Sequence, residues 1–473
     1  MPPRHSPEKA EMRALLLSAI VMISLAGSAM AQTRVFPDDA KLLELIKSRV
    51  DDGRATGLVL GVMDADGSTR IVSYGDRGAD AQPLGPETVF EIGSVTKVFT
   101  TTLLADMVQR GEVSLDAPAQ QYAPRGMTLP TLNGKAITLA HLAEQNSGLP
   151  RLPSNMSFAD MSNPYADYTA ENLNTFLASH TLRRDPGTEF EYSNLGMGLL
   201  GLLLAHRSGQ TYEQLVKTRI LDPLGMASTG IALTPPMQTR LAQGHTAEGA
   251  PTANWDLPAL AGAGALRSTM NDMMRFLDAN LGEPASDLER AMRFTQTPRF
   301  TMSPNTRIGL GWITVTQGDG GFIYHDGGTG GYGAIVILDR KRNVGVVLLA
   351  NRTGVPDDIA MHVLDPSIPL TPKPGPASER AEIYVPPETL AAYAGIYTLD
   401  SAPDFKLTVT LGSGRLQVQA TGQQKFPVFA ESATKFFYKI VDAQLTFVSA
   451  ADSKPAHLIL HQGGLDQKAT KQP

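Results

Sequence analysis

Phe90-Glu91-Ile92-Gly93-Ser94-Val95-Thr96-Lys97-Val98 decides how this chain is read. Ser94 and Lys97 stand three residues apart, and at the start of a helix that spacing places a hydroxyl nucleophile beside its own base. Val98, Leu103, Leu104, Met107 and Val108 recur at helical spacing up to a stop at Gly111, which predicts a helix with Ser94 in its first turn. There the serine oxygen lies near unpaired backbone N–H groups and the positive end of the helix dipole. The spacing alone is weak, because Ser6-x-x-Lys9 and Ser432-x-x-Lys435 repeat it, the first in a charged N-terminal extension and the second in a strand-like stretch. Taken singly, a helix-start serine is a cap and the lysine one turn on is a solvated charge.

Two further segments supply context. Tyr192-Ser193-Asn194 follows Pro186-Gly187-Thr188 and precedes a Gly- and Leu-rich helix from Gly196 to His206, which places it on a loop at a helix entrance. His325-Asp326-Gly327 opens the run Gly328-Thr329-Gly330-Gly331 ahead of the strand Ala334-Ile335-Val336-Ile337-Leu338. Glycine at 327 and 328 leaves room for a substrate along the strand edge. In an extended strand His325 and Gly327 share a face and Asp326 points the other way.

With S-x-x-K, Y-x-N and H-x-G in this order, the chain resembles the penicillin-recognising serine hydrolases, the class C β-lactamase and D,D-peptidase group. Four accessory stretches strengthen the likeness: Ile137-Thr138-Leu139 through Asn146-Ser147-Gly148-Leu149-Pro150, Leu224-Gly225-Met226, Ala261-Gly262-Ala263-Gly264 before Ser268, and Gly309-Leu310-Gly311-Trp312. The resemblance covers roughly residues 40 to 352. It implies an α+β fold, an antiparallel sheet flanked by helices, with a helical subdomain between the first and third motifs. It also implies catalysis by Ser94, Lys97 and Tyr192 through an acyl-enzyme on Ser94. Substrate binding would fall to Asn194, His325, Gly327 and Gly328, with the N–H groups of Ser94 and Gly328 as oxyanion hole.

The residues suit that chemistry on their own terms. A serine hydroxyl needs a base, and a lysine serves only if burial or a neighbouring cation lowers its pKa. Lys97, flanked by Val98, is placed for desolvation. Tyr192 could pass the proton to the leaving group, and Asn194 could orient Lys97 and the substrate amide. His325 stands where the family's β-lactamases usually carry lysine, so it is expected to tune substrate choice, with carboxylate-bearing substrates handled better near pH 6 than pH 8. The substrate is then a β-lactam, a D-amino-acid peptide of peptidoglycan type or a small ester, and a slow-turnover penicillin-binding sensor is the non-enzymatic reading.

Composition narrows the setting. Residues 1–31 carry early basic residues, an apolar run from Ala14 to Ala26 and Ala29-Met30-Ala31, which reads as a signal peptide with an A-x-A cleavage site, although translation could also begin at Met12. The apolar run is too short for a stable membrane span. A periplasmic or secreted enzyme is expected. The chain has 41 Lys and Arg against 47 Asp and Glu, a sign that argues against nucleic acid as partner. Zero cysteines exclude disulfides and thiol catalysis, and the nine histidines show no metal-ligand spacing, so neither metal nor cofactor is expected. Oligomeric state is not readable.

The length implies more than one domain, with the hydrolase at 35–362. Five prolines between Pro366 and Pro376 mark a stiff linker over 365–382. Beyond it, alternating stretches at 406–410, 415–419, 435–438 and 444–448, with turns at Gly412-Ser413-Gly414 and Gly422, predict an antiparallel β domain over 385–465. Its opening, Tyr393-Ala394-Gly395-Ile396-Tyr397, resembles the lipocalin-like module appended to many of these hydrolases.

Overall fold

The computed structural model describes residues 34–472 apart from 79–81, 158–159, 161, 319, 355–357, 372–381, 401, 413, 422–424, 439–442, 450–454 and 463–464. Residues 1–31, read above as a signal peptide, the Ser6 motif within them, most of the Pro-rich stretch and the expected Gly422 turn lie outside the described residues. The chain divides into two compact units, one ending at Thr371 and the other beginning at Pro372.

The first unit is built on an eight-stranded antiparallel sheet. Its strands are β1 Gly57–Met63, β2 Thr69–Gly75, β3 Phe300–Ser303, β4 Thr306–Ile308, β5 Ile313–Gln317, β6 Gly320–Gly328, β7 Gly333–Asp339 and β8 Val344–Ala350, in the spatial order β2-β1-β8-β7-β6-β5-β4-β3. The N-terminal hairpin therefore completes a sheet whose other six strands come from the C-terminal third of the unit. β1 and β8 are buried at every position, as the unbroken apolar runs of central strands covered on both faces require. One face packs on α1 (Asp39–Asp51) and a short helix at Asp358–Leu364 through Leu42, Ile46, Ile359 and Val363. The other face packs on α4 (Met270–Leu281), where Gly61 lets Met270 and Met274 approach β1 without a Cβ in the way.

Between β2 and β3 most of the regular structure is helical, as the resemblance implies. At its centre runs α2 (Thr96–Gln109), preceded by a 3₁₀ turn at Gly93–Val95. The 3.6-residue pattern predicts an amphipathic helix. Instead α2 is enclosed almost all round, because three consecutive threonines satisfy their hydroxyls internally: Thr100 donates to Gly262 O (2.7 Å), Thr101 to Leu310 O (2.8 Å) and Thr102 to Val98 O (2.8 Å). From Thr88 to Met107 every residue is buried except Ser94.

Among the described residues the second unit holds nine strands, and every pairing among them is antiparallel. Lys425–Pro427 and Phe429–Ala430 sit at opposite ends of the strand order with only Val428 between them in sequence, so the sheet must curl until its edges meet, in a barrel-like form. Tyr393 and Tyr397, from the opening stretch, pack around Phe447 with ring centroids 4.3 and 5.7 Å away. The last strand, Leu465–Lys471, runs past the predicted end at 465 and pairs with two neighbours. Its sequence Leu-Asp-Gln-Lys-Ala-Thr-Lys lacks apolar alternation, so pattern alone does not reveal it.

Candidate active site

Ser94 sits in the 3₁₀ turn, half-exposed, with Lys97 one turn later and fully buried. Lys97 Nζ has three oxygen neighbours: Ser94 Oγ at 2.8 Å, Asn194 Oδ1 at 2.8 Å and Ala263 O at 2.7 Å. Burial pushes the amine's pKa well below its ordinary value of 10.5, the positive charge of Arg151 pushes the same way, and Asp326 opposes them. The geometry gives the neutral amine one consistent arrangement. A carbonyl and an amide oxygen only accept, so the two N–H bonds go to Ala263 and Asn194, and the lone pair faces the Ser94 hydroxyl.

Asn194 begins α3 (Asn194–Ser208), whose N-cap is Ser193, its hydroxyl oxygen accepting from Gly196 N at 2.8 Å. The helix thus starts two residues earlier than the Gly196 onset read from composition, and this places Asn194 in its first turn. Tyr192 precedes the cap. Burial raises its pKa above the ordinary 10, with the neighbouring Ser94 hydroxyl opposing, so it stays protonated at neutral pH. Lys97 Nζ lies 4.8 Å from the Tyr192 ring centroid and Arg151 Cζ lies 4.9 Å from it.

Three of the four accessory stretches prove to be supports of the motifs. Pro150 O accepts from Ser193 Oγ (2.7 Å) and Arg151 O accepts from Asn194 N (3.0 Å), so Ser147-Gly148-Leu149-Pro150 fastens the Tyr192 loop. Ala263 O holds Lys97. Gly311 O holds His325 and Leu310 O holds α2 through Thr101. The supports Ala263 O, Gly311 O and Gln145, whose Oε1 accepts from Ser193 N, escape a residue-by-residue reading because two of them act through backbone carbonyls. Arg151 was equally invisible, as an ordinary charge following a proline.

The third motif corrects two expectations. His325 is buried, and its Nδ1 lies 2.6 Å from Gly311 O. A carbonyl cannot donate, so Nδ1 carries the hydrogen and Nε2, buried and without a protein partner, presents a lone pair. Burial pushes the imidazole down to about 4, against the opposing charge of Asp326, so the gain expected near pH 6 finds no support in the surroundings of His325. Gly327 does not open space for substrate. A Cβ there would fall on Ile92 O and within 2.7 Å of Ser94 N, so its bareness admits the nucleophile turn. Gly93, at φ +48°, makes the reciprocal approach to Gly328, where a Cβ would lie 2.7 Å from the backbone nitrogen. Gly328 itself is open, with Tyr332 O its nearest neighbour at 3.8 Å. Asp326 is exposed, on the face opposite His325.

Among the described residues no group of three or more His, Cys, Asp or Glu is placed to hold a metal ion, and no helix is long and apolar enough to cross a membrane. A buried lysine facing a serine at the foot of an antiparallel sheet, with tyrosine and asparagine from a helical subdomain, defines a serine hydrolase of the β-lactamase and D,D-peptidase fold. The comparisons with known proteins agree. The family model described as "Beta-lactamase" matches residues 42–367, and a domain of unknown function, DUF3471, matches 379–472. The D-alanyl-D-alanine-carboxypeptidase/endopeptidase AmpH of Escherichia coli is 31% identical over 362 residues, covering 72% of this chain and 92% of its own length. A β-lactamase of E. coli is 28% identical over 318 residues, covering 58% and 78%. The crystal structure of a class C β-lactamase from Rhodobacter sphaeroides superposes with TM-score 0.60 at 26% identity, covering 69% of this chain and 99% of its own. The chain belongs to the β-lactamase family of serine hydrolases.

Proposed function

We propose that the chain is a D,D-peptidase- or β-lactamase-type amidase that works through an acyl-enzyme on Ser94. The observation that carries this reading is the placement of Lys97 Nζ, fully buried, 2.8 Å from Ser94 Oγ and held in place by Asn194 Oδ1 and Ala263 O. In the acylation step Ser94 Oγ bonds to the substrate carbonyl carbon while its proton passes to Lys97. The carbonyl oxygen takes the negative charge, and the backbone N–H groups of Ser94 and Gly328 are assigned to stabilise it. On collapse the C–N bond breaks, and the nitrogen receives a proton through Tyr192, which Lys97 replenishes. Water then attacks the ester on Ser94, and the acid product leaves.

His325 gives weight to a second reading, a small-ester esterase, because an uncharged acceptor offers nothing to a substrate carboxylate. A panel of nitrocefin, a D-Ala-D-Ala peptide and p-nitrophenyl butyrate, compared by kcat/KM on the purified chain, decides between them. The amidase reading expects turnover of the peptide or the β-lactam with an adduct on Ser94. Turnover of the butyrate alone overturns it. The A-x-A signal at 29–31 supports a periplasmic or secreted location, and N-terminal sequencing of the exported protein tests this: a mature start at Gln32 is expected, and retention of residues 1–31 refutes it.

A further inference from the structure

An amidase for D-alanyl peptides or β-lactams must recognise a free carboxylate on the leaving side of the scissile bond, and the strand motif cannot do this. His325 is neutral and presents a lone pair. Asp326 is exposed and its charge is of the wrong sign. Lys97 is fully buried and holds its N–H bonds for Asn194 and Ala263. The positive charge must come from elsewhere.

Arg151 has the attributes required. Its backbone carbonyl is used to fasten the Tyr192 loop, accepting from Asn194 N at 3.0 Å and Leu195 N at 3.2 Å, which fixes where the side chain starts. The side chain is exposed, and its guanidinium carbon lies 4.9 Å from the ring centroid of Tyr192, the tyrosine beside Ser94. Among the described residues the guanidinium has no hydrogen-bond or ion-pair partner. Most other arginines near the site are committed: Arg267 to Glu91, Arg299 to Glu144, and Arg184 to Glu191. Stacking on an aromatic ring uses the flat face of a guanidinium and leaves its N–H edge available, the geometry that grips a carboxylate with two parallel hydrogen bonds.

We propose that Arg151 is the carboxylate-binding residue of the site, gripping the terminal carboxylate of a D-amino-acid peptide or the ring carboxylate of a β-lactam from the Tyr192 side. The inference rests on the amidase reading and names the anionic substrate class within it.

The test uses two matched pairs: a D-Ala-D-Ala peptide with a free carboxylate and its C-terminal amide, and benzylpenicillin and its methyl ester. Peptide turnover gives kcat/KM, and the rate of adduct formation on Ser94 by mass spectrometry covers the second pair. The full chain should prefer the acid of each pair. In Arg151→Met, which keeps the apolar stem over the ring, that preference should fall roughly 10- to 100-fold and mainly through KM, the size expected for a lost charge-assisted pair. Arg151→Lys should recover part of it, and added salt should weaken the wild-type preference. Unchanged preference in Arg151→Met overturns the inference, as does an equal loss on both members of a pair, which would mean that Arg151 acts through Tyr192. Equal handling of acid and amide by the wild-type chain overturns it while leaving the amidase reading intact. Absence of any Ser94 adduct and of any peptide turnover overturns both.

Discussion

The chain writes Ser-x-Thr-Lys twice, at 94–97 and at 432–435, and the two copies meet different fates. In the first, the 3₁₀ turn and α2 bring the two side chains to one face, and the lysine is fully buried 2.8 Å from the serine oxygen. In the second the residues close a turn between short strands. Ser432 Oγ accepts from the backbone N–H groups of Thr434 (3.3 Å) and Lys435 (3.0 Å), and the Lys435 side chain reaches Glu431 at 3.4 Å with much of its surface in water. Local spacing is identical, so the distinction lies in burial. A lysine becomes a base when its charged form is denied water and a counter-ion, and the first copy lacks both while the second has both.

The strongest way to break this comparison is to remove each serine. Ser94→Ala should lower kcat/KM by roughly 10³-fold or more on any substrate turned over, with no adduct detectable by mass spectrometry. Ser432→Ala should lose only about 1 kcal/mol of stability, by denaturant titration, through its two backbone contacts. An adduct on Ser432 would end the distinction. Next in size, Lys97→Ala should cost roughly 10²- to 10⁴-fold and Tyr192→Phe a comparable factor, the usual reach of general acid–base catalysis. On the proposed relay of one proton through both, the double variant should be little worse than the poorer single one, whereas fully multiplicative losses would separate their roles.

Glycine 327 tests whether the strand motif serves the first copy as structure. Gly327→Ala forces a Cβ against Ile92 O and the Ser94 nitrogen, so it should lower thermal stability by about 1–3 kcal/mol and remove activity in the folded fraction, while Gly328→Ala, facing open space, should fold normally. The smallest effect is in pH. Acylation should rise with pH through the depressed Lys97 pKa and show no inflection from His325 between pH 6 and 8, since burial pushes that imidazole down to about 4. The signs carry into stability. Each group holds fewer protons folded than unfolded between its depressed folded pKa and its ordinary one, so stability rises with pH over that window, from about 4 to about 6.5 for His325 and from the depressed value up toward 10.5 for Lys97. Lys97→Met should flatten the alkaline part of that slope, and an unchanged slope would show that the lysine is charged in the folded protein.

Much of this was legible in the sequence. Ser94, Lys97, Tyr192 and Asn194 converge as the motif order implies, and the strands around 58–62, 334–338 and 344–349 form because long apolar runs leave little alternative to a covered sheet. Glycine-rich stretches around 262 and 311 were visible too, but as punctuation. Their work is done by carbonyl oxygens, which every residue has, so no side-chain pattern announces that Ala263 O receives Lys97 or that Gly311 O receives His325.

The sequence by itself determined the family of fold, the order of the motifs and which serine has a helix behind it, because these follow from short-range periodicity and spacing. Only the tertiary structure decided the states of the groups. A histidine's tautomer depends on which atom lies opposite Nδ1, and that atom belongs to a residue 14 positions away. The basicity of Lys97 depends on water being excluded by elements from Ala263 and Asn194, far along the chain. Protonation, burial and the free edge of Arg151 arise from which distant segments meet, and a linear pattern holds no record of that meeting.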